Sequence, residues 1–164
     1  TEEVYFDIIR QKTASLIASC TAVGAASVGA DKETIERARL FGEKVGIAFQ
    51  IKDDLFDYGT DEIGKPVGID IKEKKMTLPL IYALQQTSWL EKRKVIFNVK
   101  NNDGHRERVQ EVIEFVKKSG GLDYAIKTMK QYRDEALEIL HTFPESPSRI
   151  SLEELINYTI ERNK

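Results

Sequence analysis

The chain has 164 residues, 41% hydrophobic and 32% charged, with ten glycines, four prolines, one cysteine and a formal charge of −2. This is too apolar for a disordered chain, and a lone cysteine excludes a disulfide-stapled secreted fold. The length fits a single helical domain, 1–164, with a real core, and interleaved acids and bases argue against a nucleic-acid partner. No window reaches the roughly 18 apolar residues of a spanning helix, so no transmembrane segment is expected. The start, Thr1-Glu2-Glu3-Val4, lacks the basic flank of a signal peptide, which points to a cytoplasmic protein.

Helical periodicity begins at once. Val4, Tyr5, Ile8 and Ile9 are followed at the same spacing by Leu16, Ile17 and Cys20, predicting one long amphipathic helix that ends near Gly24–Gly29. Its second half is rich in small residues suited to close helix packing, and Cys20 is expected in the core. Asp31 is placed to cap a second helix, with Thr34 one turn in. That helix runs through Leu40, Phe41, Val45, Ile47, Ala48, Phe49, Ile51, Leu55 and Phe56, and belongs in the interior. Residues 59–75 combine three glycines and a proline with mixed charge and read as a functional loop. Further helices are predicted at about 76–86, 88–98, 105–118, 122–141 and 150–162, with breaks at Ser119-Gly120-Gly121 and Pro144-Glu-Ser-Pro147. Trp89 is expected in the core. No stretch alternates with period two, so the fold class is all-α.

Chemistry concentrates in the second helix. Gln50, Asp53, Asp54 and Asp57 share an arc of about 100°, with Gly46 on the same arc leaving room before the carboxylates. Each aspartate costs up to about 0.7 kcal/mol against alanine in a helix, and the Asp53/Asp57 repulsion adds roughly 0.2–0.5 kcal/mol. A bound divalent cation would offset those costs, and hard carboxylate oxygens suit Mg²⁺, which takes one or two carboxylates and completes its shell with water and phosphate. In the first helix, Lys12 and Thr13 interrupt an apolar stripe, as an ammonium and a hydroxyl aimed at the same cavity as the acids. Lys65, Lys72, Lys74 and Lys75 follow the acid stripe, as flexible charges able to close over a diphosphate.

Lys12-Thr13, Phe49-Gln50, Asp53-Asp54-x-x-Asp57, Gly64-Lys65-Pro-x-Gly-x-Asp70 and Lys75-Met-Thr-Leu-Pro resemble, in order and spacing, the C-terminal half of trans-isoprenyl diphosphate synthases. The similarity is greatest to octaprenyl-type polyprenyl synthases. The resemblance implies an isoprenoid-synthase helical bundle, of which this chain is the C-terminal part. It implies a Mg²⁺-dependent prenyltransferase that condenses an allylic diphosphate with isopentenyl diphosphate. Asp53, Asp54 and Asp57 would be the second aspartate-rich metal motif, with Asp53 a direct ligand. Lys12, Lys65 and Lys75 would hold the allylic diphosphate and stabilise it as it leaves, while Thr13 and Gln50 would present oxygen dipoles to the allylic cation.

The family's first aspartate-rich motif, arginine pair and isopentenyl-diphosphate pocket have no counterpart here, and Asp53-Asp54 is the chain's one Asp-Asp pair. Residues 1–164 are therefore expected to be incompetent alone and to expose apolar surface, with the full-length protein a homodimer. Two alternatives share the helical architecture. One is a fragment of a class I terpene cyclase, whose second metal motif mixes other residues. The other is a non-catalytic helical partner subunit, for which Lys12, Gln50 and Asp57 would have no purpose. A di-metal carboxylate bundle would need paired Glu-x-x-His motifs, and Glu138-Ile-Leu-His141 is the one instance, read as structural.

Overall fold

The computed structural model describes residues 1–59, 67–102 and 105–161, and every regular element among them is helical. Helix α1 (Glu2–Ile9) passes through one π-helical turn (Arg10–Ala14) into α2 (Ser15–Ser27). Then come α3 (Lys32–Phe56), the short α4 (Ile69–Lys72), α5 (Leu78–Gln85), α6 (Trp89–Lys100), α7 (Arg106–Lys118), α8 (Gly121–His141) and α9 (Pro147–Glu161). Asp31 caps α3 as expected, its carboxylate accepting the Thr34 N–H at 2.7 Å. The final helix starts earlier than periodicity predicts. Pro147 opens it rather than breaking it, because a fixed φ and a missing N–H suit the first helical position, and the Ser146 hydroxyl accepts the Arg149 N–H.

The chain forms two compact units, Thr1–Tyr5 with Asp53–Ile126 and Phe6–Lys52 with Lys127–Lys164. In the first, Val109, Val112, Ile113 and Val116 project from one face of α7. They bury against Tyr58, Ile71, Leu80, Ala83, Leu84, Val95 and Val99. The expected loop after α3 carries the α4 turn within it. Ile71 anchors that turn with no exposed surface, and the buried Asn102 amide donates to the Ile71 and Val99 carbonyls at 3.1 and 2.8 Å. Gly68 precedes α4 at φ 78°, where an added Cβ would stand 2.3 Å from Val109 Cγ1. Conformation and space both require glycine there.

In the second unit, α3 is an interior helix: no residue from Arg37 to Lys52 is exposed. Its Gly42 and Gly46 lie one turn apart against the small residues of the opening helix. A Cβ on Gly42 would approach the Ile17 carbonyl at 2.8 Å, and one on Gly46 would approach Ala14 Cα at 2.5 Å. Close packing through small residues is thus realised. Gly46, however, faces Ala14 rather than leaving room before the carboxylates.

The π turn corrects a second expectation. A regular helix would bury Tyr5, Ile9, Thr13 and Ile17 in register. The observed buried series is Tyr5, Ile9, Ala14 and Ala18, with one five-residue step where the Ser15 N–H reaches back to the Arg10 carbonyl. Val4 and Ile8 ahead of the π turn and Leu16 and Val23 after it are exposed, as is Cys20, which is not the core residue expected. Trp89 is also outside, 65% exposed, with the Arg93 guanidinium 4.7 Å from its ring centroid.

Candidate functional site

Asp53 and Asp54 lie in the last turn of α3, and Asp57, expected within the same helix, is the first residue beyond it, in a turn. Asp53 is half-buried, whereas Asp54 and Asp57 are each only 7% exposed, so the stripe is not a solvated acidic face. Burying a carboxylate is costly unless donors meet it, and here the fold supplies them. The buried Tyr5 hydroxyl donates to Asp54 Oδ2 at 2.7 Å. Burial, and after it the Asp54 charge, pushes the Tyr5 hydroxyl well above the ordinary tyrosine range, so it remains a proton donor at neutral pH.

Asp57 joins α3 to the segment before α4. Its Oδ2 accepts the Asp70 N–H at 3.1 Å, and its carbonyl accepts the Gly68 N–H at 2.9 Å. Burial raises the Asp57 carboxyl above its usual value, opposed by the Asp70 amide hydrogen bond. Asp70 in turn accepts Lys75 Nζ at 3.0 Å, and the same ammonium reaches Glu73 at 2.6 Å. Glu73, and then Asp70, hold Lys75 above the ordinary lysine range, which keeps it cationic. Below them the buried Tyr58 and Thr77 hydroxyls share a 2.6 Å hydrogen bond, tying the end of α3 to the start of α5.

Lys12, Thr13 and Gln50 lie in the second unit. Lys12 is exposed on the π turn and Thr13 is half-buried, its hydroxyl donating to Gln50 Oε1 at 2.8 Å. The structure therefore brings together Thr13 with Gln50, and Asp57 with Asp70 and Lys75. Lys65 lies outside the described residues. Glu138-Ile-Leu-His141 is structural, with His141 Nε2 3.0 Å from Glu153.

No group of three or more histidine, cysteine, aspartate or glutamate side chains among the described residues forms a ready metal cage. The donor chemistry nevertheless fits Mg²⁺, which needs few protein carboxylates when water and phosphate complete its shell. The stripe offers hard oxygens, and desolvation has already raised one of its carboxyls.

Sequence reasoning missed Tyr5, because a tyrosine on an apolar stripe reads as packing, and gave Asp70 no separate role. Spacing offered one usable signal: a buried carboxylate at Asp54 needs a donor, and Tyr5 is a polar tip on the apolar stripe of the first helix. Tyr5→Phe is expected to leave Asp54 short of its donor and to destabilise the fold by about 1–3 kcal/mol. Urea denaturation measures this, and an unchanged midpoint would show the bond to be dispensable.

Residues 1–116 match the polyprenyl synthetase family model. The short chain isoprenyl diphosphate synthase of Methanothermobacter thermautotrophicus is 37% identical over 164 residues, covering 99% of this chain and 50% of that protein. The all-trans-nonaprenyl-diphosphate synthase (geranyl-diphosphate specific) of Rhodobacter capsulatus has the same identity and the same coverage. Identity thus does not sort the chain by product length. A crystal structure of polyprenyl synthase from Caulobacter crescentus CB15, complexed with calcium and isoprenyl diphosphate, superposes with a TM-score of 0.91 at 34% identity. It covers all of this chain and 51% of that one. The chain spans about half the length of the curated relatives it matches. No helix among the described residues is long and apolar enough to cross a membrane. A family match over most of the chain, joined to full-length similarity in sequence and fold, establishes that the chain belongs to the polyprenyl synthetase family.

Proposed function

We propose that this chain supplies the diphosphate-ionising half of a Mg²⁺-dependent trans-prenyltransferase, one that joins an allylic diphosphate to isopentenyl diphosphate. The observation that carries the reading is the acid stripe closing α3: two aspartates are buried and hydrogen-bonded, and a third is half-buried beside them. A structural helix end has no use for that concentration of desolvated negative charge.

In this reading Asp53, Asp54 and Asp57 hold Mg²⁺, which supplies Lewis-acid neutralisation of the diphosphate. Lys75 enters as a cation already held against Glu73 and Asp70, able to turn its ammonium toward a phosphate oxygen. Lys12 and Lys65 add positive charge to the departing diphosphate as the allylic C–O bond breaks. Thr13 and Gln50 hold each other's orientation through their hydrogen bond, so their dipoles are fixed before the allylic cation forms. Tyr5 positions Asp54. The longer enzyme is proposed to be a cytoplasmic homodimer of octaprenyl type. Exposed Val4, Ile8, Leu16 and Val23 support the view that residues 1–164 leave unsatisfied apolar surface.

Calorimetric titration of the 164-residue chain with inorganic pyrophosphate is expected to show binding with Mg²⁺ present and none with chelator. No magnesium-dependent heat would remove the basis of the assignment. Supplied with a short allylic diphosphate, isopentenyl diphosphate and Mg²⁺, the chain alone is expected to give no elongated product. Turnover by this chain would show that residues 1–164 contain a complete site.

A further inference from the structure

Helix α6 carries surface chemistry that prenyl transfer does not use. Trp89, Leu90 and Phe97 are among the large apolar side chains most open to solvent, at 65%, 73% and 57% exposure. At 100° per residue they share an arc of about 100° with Arg93 and Lys100. Exposed Lys92 flanks the arc, and Lys94 lies at its other edge, 3.5 Å from Glu111 of α7. Glu91 is the helix's one acid and falls outside the arc. The opposite face is committed to the core through Val95, Asn98 and Val99.

Rings and cations are coupled on this face. The Arg93 guanidinium stands 4.7 Å from the Trp89 centroid, and Arg108 stands 5.7 Å from that of Phe97. Each ring can enter an apolar layer while its neighbouring charge stays at the level of the lipid phosphates, as amphipathic side chains do at an interface. A second copy of the chain is a poor occupant, because symmetric pairing would set one cationic arc against another. Nucleic acid would use the cations but gives an aliphatic Leu90 no role. An anionic bilayer uses every exposed group on the arc.

We propose that the outer face of α6 docks this protein onto the surface of an anionic phospholipid bilayer, with Trp89, Leu90 and Phe97 entering the headgroup boundary and Arg93, Lys100 and Lys92 pairing with lipid charge. The docking is peripheral. It does not depend on the prenyltransferase reading.

Trp89 is the chain's one tryptophan, so its fluorescence reports this face alone. Vesicles of phosphatidylcholine with phosphatidylglycerol are expected to shift its emission to the blue and to co-sediment the chain, whereas pure phosphatidylcholine is expected to do neither. At about fivefold in affinity per cation, Arg93→Glu with Lys100→Glu is expected to reduce partitioning at least tenfold. Leu90→Glu with Phe97→Glu is expected to do the same without disturbing the core. Leu16→Glu, on the exposed face of α2, is the control and is expected to leave the Trp89 shift intact. The proposal is overturned if anionic vesicles leave Trp89 unshifted, if both α6 double variants bind like the parent, or if single-stranded RNA displaces the chain from vesicles at equal charge concentration.

Discussion

Gly46→Val is expected to lower the melting temperature of the chain by roughly 6–12 °C, equivalent to about 3 kcal/mol. An added Cβ at this position would lie 2.5 Å from Ala14 Cα and 2.9 Å from Ala14 Cβ. The first of these is backbone of the π turn, so relief requires the two helices to part rather than a side chain to rotate. The loss also spreads. Gly42 makes the same close approach one turn earlier, against the Ile17 carbonyl and Ala18 Cα, so separating the helices opens both contacts. Valine has lower helix propensity than alanine, but it improves on glycine, so propensity works against the predicted loss and cannot explain it. Gly24→Ala provides the comparison. It lies in α2 with nothing within 4 Å of its added Cβ, and is expected to stabilise by up to about 1 kcal/mol. Thermal melts of both variants test the packing directly. A Gly46→Val chain that melts with the parent would mean that the helices are not held by this contact.

The helical class and most helix positions were legible because they rest on periodicity and punctuation that tertiary structure does not override. Asp31 caps where a short polar side chain before an apolar run should cap, and the interior character of α3 follows from an apolar circumference. Legibility failed where a local device changed the period. Nothing in Arg10-Gln11-Lys12-Thr13-Ala14 announces a π turn, yet that single insertion moves the buried series from Thr13 and Ile17 to Ala14 and Ala18. Cys20 and Leu16 would be outside in either register, since Val4 and Ile8 on the same i,i+4 row are exposed before the turn begins. Gly46 was assigned a plausible but incorrect purpose, since a helical wheel shows which residues share an arc and not what stands opposite. Trp89 misled for a different reason: burial preference is statistical, and an aromatic at a surface is the informative exception.

Within the site, residue types on one helix were readable and their partners from elsewhere were not. Asp53, Asp54 and Asp57 stand four or fewer residues apart, so a wheel gathers them. Tyr5 is 49 positions from Asp54, and Asp70 is 13 from Asp57 across a loop, and such pairings emerge only from the fold. Burial sorts the stripe: Asp54, which accepts from Tyr5 Oη, and Asp57, which accepts from the Asp70 amide, are each 7% exposed. Asp53 is the more accessible member.

That division predicts unequal consequences for three isosteric changes. With Mg²⁺-dependent pyrophosphate binding as the measurement, Asp53→Asn is expected to cost about 100-fold in affinity, at least the upper end of what an outer partner is worth to a metal site. Its melting temperature should fall less than that of Asp54→Asn, because Asp53 is half-buried whereas Asp54 is buried. Asp54→Asn should lose both affinity and stability: the buried Tyr5 hydroxyl then faces a neutral amide in place of a carboxylate, giving up a charge-assisted bond. Asp57 adds a pH signature. Burial raises its carboxyl, and metal binding requires the ionised form. Pyrophosphate affinity should therefore weaken on acidification at a higher pH than an ordinary carboxylate would give. Asp57→Asn should shift that loss to lower pH while reducing affinity throughout. Equal melting behaviour for Asp53→Asn and Asp54→Asn, with equal retention of pyrophosphate binding, would leave the acid stripe without a metal-holding role.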